Sequence, residues 1–290
     1  MRILITGASG LLGSYLLKTA DNHDDTRGHV FTDAGNFRYL DILSRASIRE
    51  CLDISRPDVI IHCAGEGRVD AAETNPFTAW RLNLEGVDNL LSLCAQYRSH
   101  FVYISSNAVF DGETPPYKED SPRRSVNEYG SSKIAAEDLV TAYPWFSTII
   151  RPILLYGWPT TGRRGNFVIR LLEDLHAGTH VSTAEDLISQ PTYAWDCASA
   201  IWTIIKQQKT GKEVFNVAPT EPMSLFKFAG EVAKVFELDA SLIQPVQSNQ
   251  FANLAPRPRD TTFDVSKLEV AGITLPNVQS GLLRMRMEKQ

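Results

Sequence analysis

Apolar residues in the first half of the chain alternate between two patterns. Short continuous runs rich in β-branched residues, such as RILIT, are typical of strands buried on both faces, and a longer stretch with helical spacing follows each run. Strands are predicted at 2–6, 29–33, 58–64, 101–106 and 146–152, and helices at 11–20, 44–55, 78–97 and 128–143. This strict alternation predicts an α/β fold, a Rossmann-type doubly wound parallel sheet covered by helices.

The pattern changes after residue 155. The glycine- and proline-rich stretch GWPTTGRRGNF predicts a loop, and the rest predicts a smaller C-terminal lobe with little strand. Helices are predicted at 168–178, 196–208 and 224–236, and a late strand that could join the main sheet at 213–218. We therefore predict a dinucleotide-binding domain over 1–155, with return segments near 189–220, and a mainly substrate-binding lobe over 156–290.

Composition excludes several classes of protein. The 290 residues are 43% hydrophobic and 22% charged, with a net charge of -5, which is typical of a globular protein and does not favour nucleic acid or an acidic membrane surface as a partner. The four cysteines form no CxxC pair, so neither a metal site nor a disulfide framework is predicted. Without an apolar run long enough for a bilayer or a signal segment, a cytoplasmic location is expected.

A glycine-rich loop joins the first predicted strand to the first helix. TGASGLLG places Gly7, Gly10 and Gly13 where a dinucleotide fingerprint has its glycines, although a plain strand–turn–helix would also fit. Asp33, after the second strand, could accept hydrogen bonds from an adenosine ribose and repel a 2′-phosphate, which favours NAD over NADP. Arg38 could instead serve a phosphate, and Asp33 could be a turn residue.

The stretch EYGSSK places Tyr129 and Lys133 on one face of a predicted helix. A neighbouring ammonium is expected to lower the pKa of a phenol, so that the phenol can act as an acid or base near neutral pH. Ser106 ends the preceding strand, at the edge where parallel sheets bind ligands. The three residues suit carbonyl reduction, with a hydride from nicotinamide, a proton from Tyr129 and Ser106 holding the carbonyl oxygen. A surface pair beside a turn serine is the alternative.

The chain resembles the extended short-chain dehydrogenases/reductases, and most closely the dTDP-4-dehydrorhamnose reductase group. The resemblance is carried by ILITGASGLLG, RPDVIIHCAG, VDAAE, YISSNAVFDGETPPYKEDSP, EYGSSK, RGNFV, QPTYAWDCA and RPRDTTFDVSKL. It implies a nicotinamide cofactor, NAD or NADP, and reduction of a 4-keto nucleotide-sugar. The catalytic residues implied are Ser106, Tyr129 and Lys133. The predicted cofactor-binding residues are Gly7, Ser9, Gly10, Leu11, Leu12, Gly13, Asp33, Asp41, Ile42, Cys63, Ala64, Gly65, Tyr129, Lys133 and Pro152. The predicted substrate-binding residues are Asn107, Asn166 and Arg257.

Three positions depart from the family pattern. Ala108 replaces an aromatic residue associated with the sugar, Leu154 stands where a tryptophan is usual, and Ser14 stands where some members have a glutamate implicated in magnesium binding. We therefore predict a sugar other than the usual precursor of rhamnose.

Two other functions fit the same segments. An NAD-dependent nucleotide-sugar epimerase would use the same tyrosine and lysine. A non-catalytic regulatory subunit is the second, because the β subunit of methionine adenosyltransferase shares YISS, VFDG and PPY. The family resemblance also makes a homodimer possible.

Overall fold

The computed structural model describes residues 1–21, 24–30, 38–159, 165–207, 211–251 and 255–288. Its centre is a seven-stranded sheet in which every pairing is parallel. The first six strands are β1 (Arg2–Thr6), β2 (Asp25–Val30), β3 (Arg38–Tyr39), β4 (Val59–His62), β5 (His100–Ile104) and β6 (Ser147–Pro152). The seventh is β11 (Lys212–Val217), so numbered because, among the described residues, four short strands outside this sheet precede it in the chain. Their spatial order is β11-β6-β5-β4-β1-β2-β3, so the chain reverses direction across the sheet between β1 and β4.

Helices cover both faces of this sheet, as the alternating pattern predicts. The helices of the first half are α1 (Leu11–Lys18), α2 (Arg45–Ser55), α3 (Val69–Thr74), α4 (Pro76–Trp80), α5 (Gly86–Cys94) and α6 (Glu128–Ala142). Ile5 and Ile61 belong to the core on one face, whereas Leu4 and Ile60 belong to the core on the other. Alternate residues of each strand are therefore buried on opposite faces, which explains the continuous apolar runs. The predicted Rossmann-type fold is confirmed.

The C-terminal part adds helices and short strand pairs beside the sheet. The helices are α7 (Phe167–His176), α8 (Ala194–Gln207), α9 (Leu225–Phe236), α10 (Ser266–Val270) and α11 (Val278–Glu288). The short strands are β7 (Leu155–Tyr156), β8 (Val181–Ala184), β9 (Ile188–Ser189), β10 (Thr192–Tyr193), β12 (Met223–Ser224) and β13 (Ile243–Val246). They pair as β10 with β7, β12 with β9 and β13 with β8. The division of the chain at residue 155 stays a prediction.

Two elements differ from the sequence prediction. The second strand begins at Asp25, four residues earlier than predicted, and pairs with β1 from Arg2 onward. The helix predicted over 78–97 begins at Pro76 and contains one π-helical turn, Arg81–Glu85. Such turns are rare and are frequent at functional sites. Within the described residues, no helix is long and apolar enough to cross a membrane.

Candidate active site

The predicted catalytic and cofactor-binding residues that the structure describes lie mostly at the carboxyl ends of neighbouring strands. The glycine loop follows β1, Cys63 follows β4, Ser106 follows β5, and Pro152 ends β6. These strands are adjacent and parallel, so their ends form one edge of the sheet beside the reversal between β1 and β4. Ligands of open α/β sheets bind at such an edge.

The glycine loop has the geometry of a dinucleotide site. Gly7 has a φ of +65°, and a Cβ there would lie 2.7 Å from the backbone nitrogen of Ala64. A Cβ at Gly13 would lie 2.5 Å from the Gly7 carbonyl oxygen. Helix α1 begins after Gly10 without a side-chain cap, so Leu11 starts a turn whose N–H groups are available to an anion. This bare, tightly turned backbone fits the pyrophosphate of a nicotinamide dinucleotide.

Asn83, in the π-helical turn, holds the loop after β4 against α6. Its Oδ1 accepts a hydrogen bond of 2.8 Å from the Glu66 backbone N–H, and its Nδ2 donates to the Glu66 carbonyl and to Ser132 Oγ at 3.1 and 3.0 Å. Gly65 has a φ of +144°, and a Cβ there would lie 2.5 Å from Asn83 Oδ1. Asn83 thus leaves no room for a side chain at residue 65, and the contact of Ala64 and Gly65 with the cofactor stays a prediction.

The adenosine side of the predicted site is described only in part. Asp41 Oδ1 accepts a hydrogen bond of 2.9 Å from the Leu43 N–H, and the Asp41 N–H donates to Ser47 Oγ at 3.1 Å. Ile42 is buried. Asp33, on which the preference for NAD rests, lies outside the described residues.

Ser106, Tyr129 and Lys133 meet in the crevice. Tyr129 and Lys133 are buried on helix α6, and the Ser106 hydroxyl, which donates to Asn107 Oδ1 at 3.2 Å, lies close enough to the Tyr129 phenol to lower its pKa. Lys133 Nζ lies 5.8 Å from the centre of the Tyr129 ring and 4.9 Å from the centre of the Tyr103 ring. It donates a hydrogen bond of 3.0 Å to the Ile104 carbonyl, at the carboxyl end of β5. The three side chains therefore form one cluster rather than a surface pair.

The expected lowering of the Tyr129 pKa is wrong for this structure. Burial raises that pKa most, the nearby Ser106 hydroxyl lowers it by less, and the charge of Glu66 raises it further. Lys133 does not lower it, because a lysine with a pKa of about 8 has lost its charge at the pH where a phenol ionises; below pH 8 its ammonium faces the tyrosine ring and is available to stabilise a phenolate formed during turnover. Burial also lowers the pKa of Lys133 to about 8, although the charges of Cys63 and Glu137 raise it. Tyr129 therefore keeps its proton at neutral pH, the state that a proton donor needs.

The first turn of α6 is fixed by contacts to other segments. Asn127 caps the helix, with its Oδ1 accepting from the Gly130 N–H at 2.9 Å and its Nδ2 donating to the Pro256 carbonyl at 3.0 Å. A Cβ at Gly130 would lie 2.0 Å from the Ala108 carbonyl oxygen. The glycine therefore lets α6 approach the turn that follows Ser106, which is how Tyr129 reaches the serine.

The predicted substrate-binding residues are already bonded within the protein. Asn107 Nδ2 donates to Thr261 Oγ1 at 2.6 Å, and Arg257 pairs with Asp70 at 2.9 Å. Asn166 caps α7 by accepting from the Val168 N–H at 3.1 Å, and its Nδ2 donates to the Gly157 carbonyl at 2.7 Å. Their contact with substrate stays a prediction.

The three family departures have different surroundings. Ala108 lies half-buried in the turn after Ser106, and Leu154 is half-buried with a φ of +38°, an uncommon conformation for a residue with a side chain. Ser14 is buried, and its hydroxyl donates to the Leu11 carbonyl at 2.8 Å. Ala108 therefore lies beside Ser106, Leu154 follows β6, and Ser14 supports helix α1.

Sequence analysis missed two acidic residues of this region. Glu137 is fully buried and bonds to Ser105 and Arg151, and its spacing of four residues from Lys133 could have signalled it. Glu66 lies near enough to Tyr129 to raise its pKa and pairs with Arg68 at 2.7 Å. No spacing in the sequence relates Glu66 to Tyr129.

Comparison with known proteins places the chain in a family. The family described as the RmlD substrate binding domain matches residues 1–290. The chain is 32% identical over 279 residues to methionine adenosyltransferase 2 subunit beta of Xenopus tropicalis, covering 94% of this chain and 83% of that protein. It is 31% identical over 264 residues to a probable dTDP-4,6-dihydroxy-2-methyloxan-3-one 4-ketoreductase of Streptomyces antibioticus, covering 89% of this chain and 85% of that protein.

A solved structure gives the same result. The dTDP-4-dehydrorhamnose reductase of Bacillus anthracis, in complex with NADP, superposes with a TM-score of 0.90 and 29% identity over 99% of each chain. The family match spans the whole chain, and the fold and crevice described above agree with it. The chain therefore belongs to the RmlD substrate binding domain family, within the extended short-chain dehydrogenases/reductases.

Proposed function

We propose that this protein is an NAD(P)-dependent reductase of a 4-keto nucleotide-sugar. The observation that carries the proposal is the buried cluster of Ser106, Tyr129 and Lys133, in which the Ser106 hydroxyl lies near the Tyr129 phenol and the Lys133 ammonium lies over the tyrosine ring. This cluster lies at the sheet edge beside the glycine loop. The similar Bacillus anthracis reductase was solved with NADP, and the similar Streptomyces antibioticus protein is described as a 4-ketoreductase.

Each residue has a distinct task in this proposal. A bound nicotinamide cofactor supplies the hydride. Ser106 donates a hydrogen bond to the ketone oxygen, and Tyr129 transfers its proton to that oxygen as charge develops there. Lys133 then stabilises the phenolate through its ammonium charge. The backbone of the glycine loop and the first turn of α1 hold the pyrophosphate.

Fewer residues support the proposed nucleotide-sugar substrate than support the reaction. Arg257 could grip a diphosphate by a forked contact, with Asn107 and Asn166 as further candidates. Ala108 and Leu154 replace the larger side chains expected beside the sugar, so we propose a sugar other than the rhamnose precursor. NAD as the preferred cofactor and a homodimer as the assembly also remain proposals.

Turnover on a panel of nucleotide-4-ketosugars tests the function. Loss of reduced-nicotinamide absorbance is followed with NADH and with NADPH, and reactions without sugar measure uncoupled oxidation. We expect stoichiometric oxidation with at least one sugar. Cofactor binding without oxidation on any sugar would contradict the proposal, and sugar isomerisation without net oxidation would indicate an epimerase.

A regulatory subunit is the second candidate, because the chain is 28–32% identical to methionine adenosyltransferase 2 β subunits of seven vertebrate species. This candidate predicts that the protein binds a methionine adenosyltransferase catalytic subunit and changes its kinetics. Size-exclusion chromatography of the mixture, with the adenosyltransferase assay, distinguishes it from the reductase.

A further inference from the structure

Glu137 is a buried acid one helical turn beyond Lys133. Its side chain is fully buried, and the spacing of four residues places it on the same face of α6 as Tyr129 and Lys133. An acid in the core needs bonded partners, because burial of an unpaired charge is costly. The partners of Glu137 therefore show which parts of the fold it connects.

The Glu137 carboxylate bonds to both strands that frame the reaction centre. Oε1 accepts a hydrogen bond of 2.6 Å from Ser105 Oγ, the residue before Ser106. Arg151, which is buried on β6 beside Pro152, donates to both carboxylate oxygens at 2.8 and 2.7 Å. One carboxylate thus fixes the carboxyl ends of β5 and β6 against the helix that carries the tyrosine and the lysine.

The arginine continues this connection toward the rest of the sheet. Arg151 Nη1 donates to the Glu119 carbonyl at 3.0 Å, and Glu119 Oε1 accepts from the Asn216 N–H on β11 at 3.0 Å. Arg123, which is partly exposed, reaches Glu137 from outside at 3.1 Å. The bonds among Ser105, Glu137 and Arg151 are buried, so they limit how far β5 and α6 can shift relative to each other.

We propose that Glu137 is a positioning residue of the reaction centre, which holds the strand end that carries Ser106 in register with Tyr129 and Lys133. The proposal deepens the reductase assignment and rests on it for its kinetic readout. Proton transfer requires donor and acceptor within hydrogen-bond reach, and a misplacement of about 1 Å can lower a rate about 100-fold. The bonds of Glu137 to Ser105 and Arg151 would keep α6 and the end of β5 at the distance that proton transfer requires.

Lys133 provides a readout that does not depend on turnover. The titratable side chains that face it are His62, Cys63, Tyr103, Tyr129 and Glu137. Burial lowers the pKa of His62 to about 3 and raises that of Cys63 to about 12, and burial raises the pKa of both tyrosines. Lys133, with a pKa of about 8, therefore titrates well away from His62 and Cys63, and the charge of Glu137 raises its pKa.

Three variants test the proposal. Glu137→Gln removes the charge, Ser105→Ala removes only the hydrogen bond to β5, and Asp196→Asn serves as the matched control. Asp196 is also a buried acid paired with an arginine, Arg284, but it lies on α8. We expect kcat to fall about 100-fold in Glu137→Gln and about tenfold in Ser105→Ala, with the KM for cofactor within about twofold. The control should lose stability without a loss of kcat.

The Lys133 titration is followed by NMR of labelled lysine Nζ, with the signal assigned from Lys133→Met. We expect the Lys133 midpoint to move below about 8 in Glu137→Gln and to stay unchanged in Asp196→Asn. A folded Glu137→Gln protein with wild-type kcat and midpoint would overturn the proposal. If Glu137→Gln does not fold, wild-type kcat in Ser105→Ala would overturn it.

The test also separates this proposal from the reductase assignment. If the wild type reduces no ketosugar, the reductase assignment fails. The crystal structure of Ser105→Ala then tests the positioning role of Glu137 without a kinetic assay. A longer distance between the Ser106 and Tyr129 hydroxyl oxygens than in the wild-type crystal structure would support the positioning role, and an unchanged distance would overturn it.

Discussion

The reaction centre and the proposed substrate face of the crevice differ in how they are held. Ser106, Tyr129 and Lys133 are buried, and Ser106 and Lys133 are hydrogen-bonded to the turn and the strand end beside them. On the substrate face, Arg257 is partly exposed and paired with Asp70, which lies 187 residues away in the chain. The reaction centre holds its side chains in fixed positions. The residues proposed to contact substrate would instead have to exchange their bonds within the protein for bonds to a ligand. Reaction type is thus better defined here than the identity of the sugar.

The largest effect is expected from loss of the cation at the reaction centre. Lys133→Met should lower kcat about 1000-fold, because the phenolate left by Tyr129 loses its stabilising charge. Lys267→Met is the matched control, since Lys267 also lies over an aromatic ring, Phe215, at 4.7 Å, but on α10. Steady-state kinetics of both variants measure the difference in kcat. Equal losses of kcat would show that Lys133 has no specific role in the reaction.

A glycine in the first turn of α6 should be nearly as sensitive. Gly130→Ala places a methyl group 2.0 Å from the Ala108 carbonyl oxygen and should push α6 away from Ser106, lowering kcat about 10- to 100-fold. Gly230→Ala, in the interior of α9, meets no atom within 4 Å and should keep full activity. A Gly130→Ala protein as active as Gly230→Ala would show that the close approach is unnecessary.

The pH dependence of reduction should report Lys133. Reduction leaves a phenolate at Tyr129, and the Lys133 ammonium that stabilises it is lost as pH rises through the lysine pKa of about 8. We therefore expect kcat to fall above pH 8, by about tenfold per unit. A rate profile that stays flat from pH 7 to about 10 would exclude a Lys133 charge requirement.

The smallest effect is expected on the substrate face. Arg257→Gln should raise the KM for the nucleotide-sugar about tenfold with little change in kcat, because a diphosphate contact is made equally in ground and transition states. Arg259→Gln, two residues along and largely exposed, should match the wild type. A fall in kcat at constant KM would instead place Arg257 in the reaction centre.

Sequence predicted the parts of this molecule that depend on local pattern. Continuous apolar runs identified the strands, and the spacing of Tyr129 and Lys133 placed both on one face of α6. The position of Asn83 in a π-helical turn could not be predicted, because that turn depends on packing between the loop after β4 and α6. The Arg257–Asp70 pair was also missed, since no local rule relates residues so distant in sequence.

The pKa of Tyr129 shows a third limit. The direction of its shift depends on burial and on whether Lys133 is still charged where a phenol ionises, and neither can be read from a spacing of four residues. The same spacing did carry a usable signal at Glu137, where an acid continues the face formed by the tyrosine and the lysine.

Single-turnover hydride transfer in Tyr129→Phe tests the central claim most directly. Tyr103→Phe is the matched control, because Tyr103 is also a buried tyrosine beside Lys133, and its hydroxyl has no hydrogen-bond partner among the described residues. We predict that Tyr129→Phe binds cofactor normally and transfers hydride at least about 100-fold more slowly, while Tyr103→Phe matches the wild type. Equal rates in the three proteins would contradict Tyr129 as the proton donor.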